Sequence, residues 1–200
     1  GALPAYRIFD QYRFNRAELL EWATAQKMKI DPAIFHDADS DAQLPSLTEA
    51  VMQGGIYYRV GGSDKSSVLD SVVHQLRLPE DIDRDFLLKV LLAREELSST
   101  AVGKGIAIPH ARNPIVAHIP SSMIALCFLE QPVDFGALDG EPVHCLFTVI
   151  STTVRTHLHL LSRLAFALHF PAIADVLVRH GSRDDIIQQM KAVDLKIESS

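Results

Sequence analysis

Apolar residues at 68, 69, 72, 73 and 76 recur at helical spacing and predict a helix over 65–76, and the same period predicts a second over 83–94. Helical periodicity returns over 155–170. Two further helices follow, one after Pro171 and one capped by Ser182. Between these blocks, "GIAIPH", "SMIALCFLE" and "VHCLFTVIS" are short apolar runs of strand type. Upstream, Ser46 with Glu49 forms a capping box ahead of a short helix that stops at Gly54-Gly55. "IYYRV" is then a strand closed by Gly61-Gly62. Strands interleaved with helices predict an α/β fold: a mixed β-sheet flanked by helices on both faces.

The first thirty residues follow another pattern. Alternation in 6–8 and 12–14 around Phe9-Asp10-Gln11 predicts a small hairpin, and Asn15 with Glu18 caps a helix whose Leu19, Leu20 and Trp22 pack back on it. Five basic side chains here (Arg7, Arg13, Arg16, Lys27, Lys29) face three acidic ones (Asp10, Glu18, Glu21). The segment over 31–44, with Pro32 and four aspartates, has the composition of a linker. The predicted organisation is therefore an N-terminal hairpin-helix appendage over 1–30, a linker over 31–44 and one α/β domain over 45–200. "PAYRI…YRF" resembles the C-terminal half of excisionase-type helix-turn-helix domains, although its turn lacks their usual glycine. The helices that read DNA in that family would lie upstream of Leu3. The resemblance implies DNA contact only through an upstream domain absent or incomplete here; the other reading is a packing hairpin with no DNA role.

Composition narrows the function. The 200 residues are 48% hydrophobic and 22% charged, ordinary for a globular chain. No apolar run approaches the roughly twenty residues that span a bilayer, so no membrane insertion is expected, and no charged-then-apolar leader opens the chain. A net charge of −6 argues against nucleic-acid binding over the whole surface. Cys127 and Cys145 lie in apolar runs without CxxC spacing, which suits reduced buried thiols and a cytoplasmic protein.

Nine histidines are the conspicuous chemistry, yet none falls in HExxH or a cysteine–histidine metal pattern. His157 and His159 form an HxH pair that would share a face on a strand. On a helix they diverge by about 200° and cannot chelate together. The helical period around them favours no metal site; a metal sensor built from His110, His157 and His159 is the competing possibility. His36, His74, His118, His144, His159, His169 and His180 are read as surface or capping residues. His110 differs: Pro109 fixes its own φ and donates no hydrogen bond, so pairing is expected to lapse there and His110 to stand at a strand end on the surface.

"LLAREELSSTAVGKGIAIPHARNP" resembles the active-site region of the enzyme IIA domains of the bacterial phosphoenolpyruvate:sugar phosphotransferase system, of the fructose/mannitol type that includes the nitrogen-regulatory members. Arg94, Ser99-Thr100, Gly103, Gly105 and Ile108-Pro109-His110 stand where that pattern requires them, and the likeness extends over about 46–192. Ala111-Arg112 departs from it, since the family often has glycine after IPH. The resemblance implies the phosphotransferase/anion-transport-protein fold and makes His110 the phosphoryl acceptor, His157 its companion in phosphoryl stabilisation and Arg94 an anion partner. It also implies an HPr-like phosphocarrier as donor, a IIB component or regulatory target as acceptor, and no cofactor.

The residues suit that chemistry on their own terms. An ordinary imidazole is substantially neutral near pH 7, so one ring nitrogen attacks phosphorus while a carbonyl holds the other. The dispersed negative charge in transit needs positioned donors, which His157 at a helix start and the forked Arg94 supply. Arg94 is alternatively a structural partner of Glu95 or Glu96. Thr100 sets the His110 tautomer or caps a turn. A module that keeps the fold without phosphotransfer is the remaining alternative.

Overall fold

The structure is a computed structural model describing residues 6–8, 11–13, 19, 22–23, 26, 44–80, 82–111 and 119–199. Strands β1 (Tyr6–Ile8) and β2 (Gln11–Arg13) form an antiparallel hairpin, with Tyr6 opposite Arg13 and Ile8 opposite Gln11. The second strand thus starts one residue earlier than alternation predicted. Leu19, Trp22 and Ala23 are helical, and Gln26 N–H donates to the Trp22 carbonyl at 2.9 Å. The predicted Asn15 cap and the linker over 31–43 lie outside the described residues.

The rest is built on a five-stranded sheet. Chain order runs α1 (Leu47–Gly54), β3 (Ile56–Val60), α2 (Lys65–Gln75), α3 (Arg84–Leu97), β4 (Ala101–Gly103), β5 (Ile106–Ala107), β6 (Met123–Val133), β7 (Val143–Ile150), α4 (Val154–Ala167), α5 (Pro171–Val178) and α6 (Arg183–Glu198). Spatial order is β3-β6-β7-β5-β4. The β3–β6 and β5–β7 pairs are parallel, whereas β6–β7 and β4–β5 are antiparallel, so the sheet is mixed as expected.

Residues of period two send alternate side chains to opposite faces. Ile124, Leu126 and Phe128 of β6 join the core under α1, α4, α5 and α6, while Met123, Ala125 and Cys127 join the core under α2 and α3. Both layers anticipated from the apolar runs are therefore present. Helix starts follow local chemistry. Ser46 and Glu49 make the reciprocal capping box, and Ser182 with Asp185 makes another. Gly54 ends α1 where no side chain fits, since a Cβ there would lie 2.3 Å from the Ile124 carbonyl oxygen. Helix α3 runs three residues beyond its predicted end, to Leu97. Strand β4 was not anticipated because three residues show no period. Among the described residues, no single helix is long and apolar enough to cross a membrane.

Candidate active site

The β5 run leads to the predicted acceptor, three residues past the end of the strand. Pairing does not lapse at Pro109: although it lacks an N–H, its carbonyl accepts from Val149 N–H at 2.9 Å, and His110 bridges Val149 in parallel. His110 is consequently buried, with 5% of its surface exposed, and not on the surface as its position after proline suggested. Proline removes a donor and leaves the acceptor, and the acceptor is what β7 uses here.

His110 Nδ1 lies 2.7 Å from the Ile108 carbonyl oxygen. A carbonyl only accepts, so Nδ1 carries the proton, and in the neutral ring Nε2 keeps its lone pair. Of the two expectations for Thr100, its contacts do not include the His110 ring: the oxygen at Nδ1 is the Ile108 carbonyl, two residues back along the chain. Thr100 instead donates its Oγ1–H and its N–H to Glu95 Oε2, at 2.6 and 3.0 Å.

Helix α4 brings the second imidazole. Thr153 caps it by accepting from Thr156 N–H at 3.1 Å, and His157 follows in the first turn with 1% of its surface exposed. The His110 and His157 ring centroids are 5.3 Å apart with planes inclined at 44°. His157 Nδ1 is 3.4 Å from the Ser151 hydroxyl at the end of β7. Forty-six residues of sequence lie between these rings, and the adjacency of β5, β7 and α4 closes the gap.

Arg94 lies in the last turn of α3, buried at 7% exposure. Its Nη1 donates to the Ser98 carbonyl at 2.8 Å and to Ser98 Oγ at 3.2 Å, closing the helix end that leads into β4. The neighbouring Glu95 carboxylate is directed elsewhere, to Thr100 and to Lys65 Nζ at 3.3 Å. Arg112 and His118 lie outside the described residues, as does His36.

The HxH pair is on a helix, as its period predicted. His159 is half-buried rather than superficial: its Nε2–H donates to the Pro45 carbonyl at 2.9 Å, and burial pushes its pKa down to about 4. Among the described residues, no group of three or more His, Cys, Asp or Glu side chains is placed to hold a metal ion. His144 and His180 stack at 6.0 Å, and burial, followed by the nearby His180, lowers the His144 pKa. His74 bonds the Asp70 carbonyl one turn back on α2, and His169, just past the end of α4, bonds the Ala165 carbonyl of that helix. Both cysteines are free and buried, which pushes the Cys127 thiol up to about 12. A cleft of about 770 Å³ lies along the first turn of α4, lined by Pro45, Ser122, Thr153 and Arg155 among others, with neither His110 nor His157 in its wall.

A carbonyl was expected to hold one ring nitrogen, but not that of Ile108 in particular; Ser151 beside His157 and the Glu95 contact with Thr100 were not anticipated. A backbone carbonyl has no sequence signature, and the hydroxyl and carboxylate sit in runs that read equally well as caps or surface.

Residues 53–193 match the family model described as phosphoenolpyruvate-dependent sugar phosphotransferase system, EIIA 2. A nitrogen regulatory protein of Pseudomonas aeruginosa is 37% identical over 135 residues, which cover 66% of this chain and 85% of that protein. The fructose-specific EIIABC component of Bacillus subtilis is 35% identical over 144 residues; they cover 70% of this chain but only 22% of that larger protein. Among solved structures, nitrogen regulatory protein IIA-Ntr of Neisseria meningitidis superposes with a TM-score of 0.59 at 26% identity, covering 74% of this chain and 95% of its own.

Proposed function

The chain belongs to the EIIA 2 family of the phosphoenolpyruvate-dependent sugar phosphotransferase system, and on that premise we propose that His110 Nε2 is the atom that accepts and carries a phosphoryl group. The donor is a small phosphohistidine carrier protein of the HPr kind. The His110 lone pair attacks phosphorus as the donor's P–N bond breaks, and that bond's electron pair returns to the donor ring. Each ring keeps its other nitrogen's proton, so no general base is required. One observation supports this assignment above the rest: the Ile108 carbonyl holds the proton on Nδ1 and keeps Nε2 nucleophilic, with a second imidazole 5.3 Å away.

His157 is assigned to phosphoryl stabilisation and Arg94 to anion stabilisation. Positioned donors in a buried setting are worth about 3–4 kcal/mol each to a developing anion. Thr100 orients the site indirectly, through the strand that it anchors. The phosphoryl group then passes to a IIB component, or its presence on His110 is itself the signal. The regulatory reading is favoured because the match covers 85% of the nitrogen regulatory relative and only 22% of the fructose-specific component.

The test supplies phosphoenolpyruvate and the upstream phosphocarrier enzymes. The expected product is an acid-labile, base-stable phosphoprotein, with label absent from His110→Ala; undiminished label in that variant would overturn the assignment. His157→Ala is expected to retain some label while onward transfer slows. A domain that had lost phosphotransfer would take no label even as wild type.

A further inference from the structure

Every residue of the turn between α3 and β4 is held by a different neighbour. Ser98 O accepts from Arg94, Ser99 Oγ donates to Phe135 O at 2.6 Å, and Thr100 is gripped by Glu95 at both its N–H and its hydroxyl. Glu95 is unusual among these partners. Its side chain is 5% exposed, one oxygen takes both Thr100 donors, and the other faces Lys65 Nζ of α2 at 3.3 Å. Burying a carboxylate is costly, and an apolar side chain of similar volume often packs as well or better. What the carboxylate adds is a fixed place for one backbone unit.

That unit leads to the reacting nitrogen. The Thr100 carbonyl accepts from Ile108 N–H at 3.0 Å, and the Ile108 carbonyl accepts from His110 Nδ1–H at 2.7 Å. Lys65, Glu95, Thr100, Ile108 and His110 thus form one continuous chain of polar contacts from α2 to the imidazole. The peptide groups along it are not conjugated with one another, so it transmits position rather than charge. We infer that Glu95 is a positioning residue for phosphoryl acceptance, which fixes the Ile108 carbonyl and thereby the tautomer and aim of His110. This rests on the phosphoryl-carrier reading of the same site.

The variants are Glu95→Ala, Thr100→Val and Thr100→Ser, each with two readouts. The first is the ring-nitrogen NMR spectrum of unphosphorylated His110, which reports the Nδ1–H tautomer population. The second is the rate of label uptake from the phosphorylated carrier protein, separated into its maximal rate and its dependence on donor concentration. Glu95→Ala is expected to mix the tautomers and slow uptake about tenfold at saturating donor, with half-saturation unchanged. Thr100→Val is expected to slow it about fivefold, the share of one lost hydrogen bond, and Thr100→Ser to behave as wild type.

A folded Glu95→Ala protein with wild-type tautomer and rate would overturn the inference. Should that variant fail to fold, a Thr100→Val protein with wild-type tautomer and rate would overturn it equally. If wild-type protein takes no phosphate on His110, the proposed function falls. The tautomer comparison, made without phosphate, still decides whether Glu95 positions the ring.

Discussion

Asp194 on α6 accepts four hydrogen bonds, and changing it should cost more than its peripheral position suggests. Its Oδ1 accepts from Leu47 N–H and Arg163 Nη1, each at 3.0 Å, while Oδ2 accepts from Thr48 N–H at 2.9 Å and Thr48 Oγ1 at 2.6 Å. One side chain thus satisfies the first amides of α1 and pairs with α4, the helix that carries His157. In Asp194→Ala the two amides and the hydroxyl lose their acceptor in a buried setting, at about 1 kcal/mol each, and Arg163 loses its partner. The expected loss is about 3–4 kcal/mol, or roughly 6–16 °C in melting temperature for a domain of this size. Asp194→Asn sharpens the test. An amide keeps one acceptor oxygen and turns an NH2 group toward donors on the other side, so it should destabilise by an amount similar to alanine despite its near-identical shape. Urea unfolding followed by circular dichroism measures both. A loss below about 1 kcal/mol for the asparagine variant would contradict this account, because charge and acceptor count would then not be what holds α1, α4 and α6 together.

Two further outcomes are expected. His159 is held near pKa 4 in the fold against an ordinary 6.5, so below pH 6.5 the unfolded chain takes up a proton that the folded ring refuses. Stability should therefore fall as pH drops from about 6.5 toward 4, by about 1–2 kcal/mol once solvent screening of the partly exposed ring is allowed for. His159→Gln, which still donates to Pro45, should flatten that slope in urea midpoints taken between about pH 7 and 4.5, and an unchanged slope would count against it. Gly105 has φ +69°, and a Cβ there would lie 2.3 Å from His144 Cδ2 and 3.3 Å from Pro142 O. Gly105→Ala should cost about 2–3 kcal/mol, combining left-handed strain with the clash. Removing the ring as well, in the double variant with His144→Ala, should recover about half of it; a Gly105→Ala melt within about 2 °C of wild type would be incompatible with it.

Much of this protein is local in origin. The helices over 47–54, 65–75, 154–167 and 183–198 arise from apolar positions at helical spacing and from caps such as Ser46 with Glu49, interactions that span three or four residues and so are written in the chain. The apolar runs of β6 and β7 likewise announce strands covered on both faces, and IPH marks its histidine. Three-residue β4 lies below the length at which periodicity means anything. Its existence depends on pairing with β5, and the residue before it, Thr100, is held by Glu95.

The site depends still more on tertiary structure. Proline's missing N–H is a local fact and suggested an exposed ring, but its carbonyl is available to pair with Val149, and whether it does depends on β7 lying alongside. Likewise the nearness of His157 to His110 is a property of the sheet order, not of the forty-six residues of sequence that lie between them. The resemblance carried by the motif around Ile108-Pro109-His110 named the two imidazoles. Only the packed sheet decided that both would be buried, 5.3 Å apart, with the His110 proton held on Nδ1 by a backbone carbonyl that no sequence pattern marks.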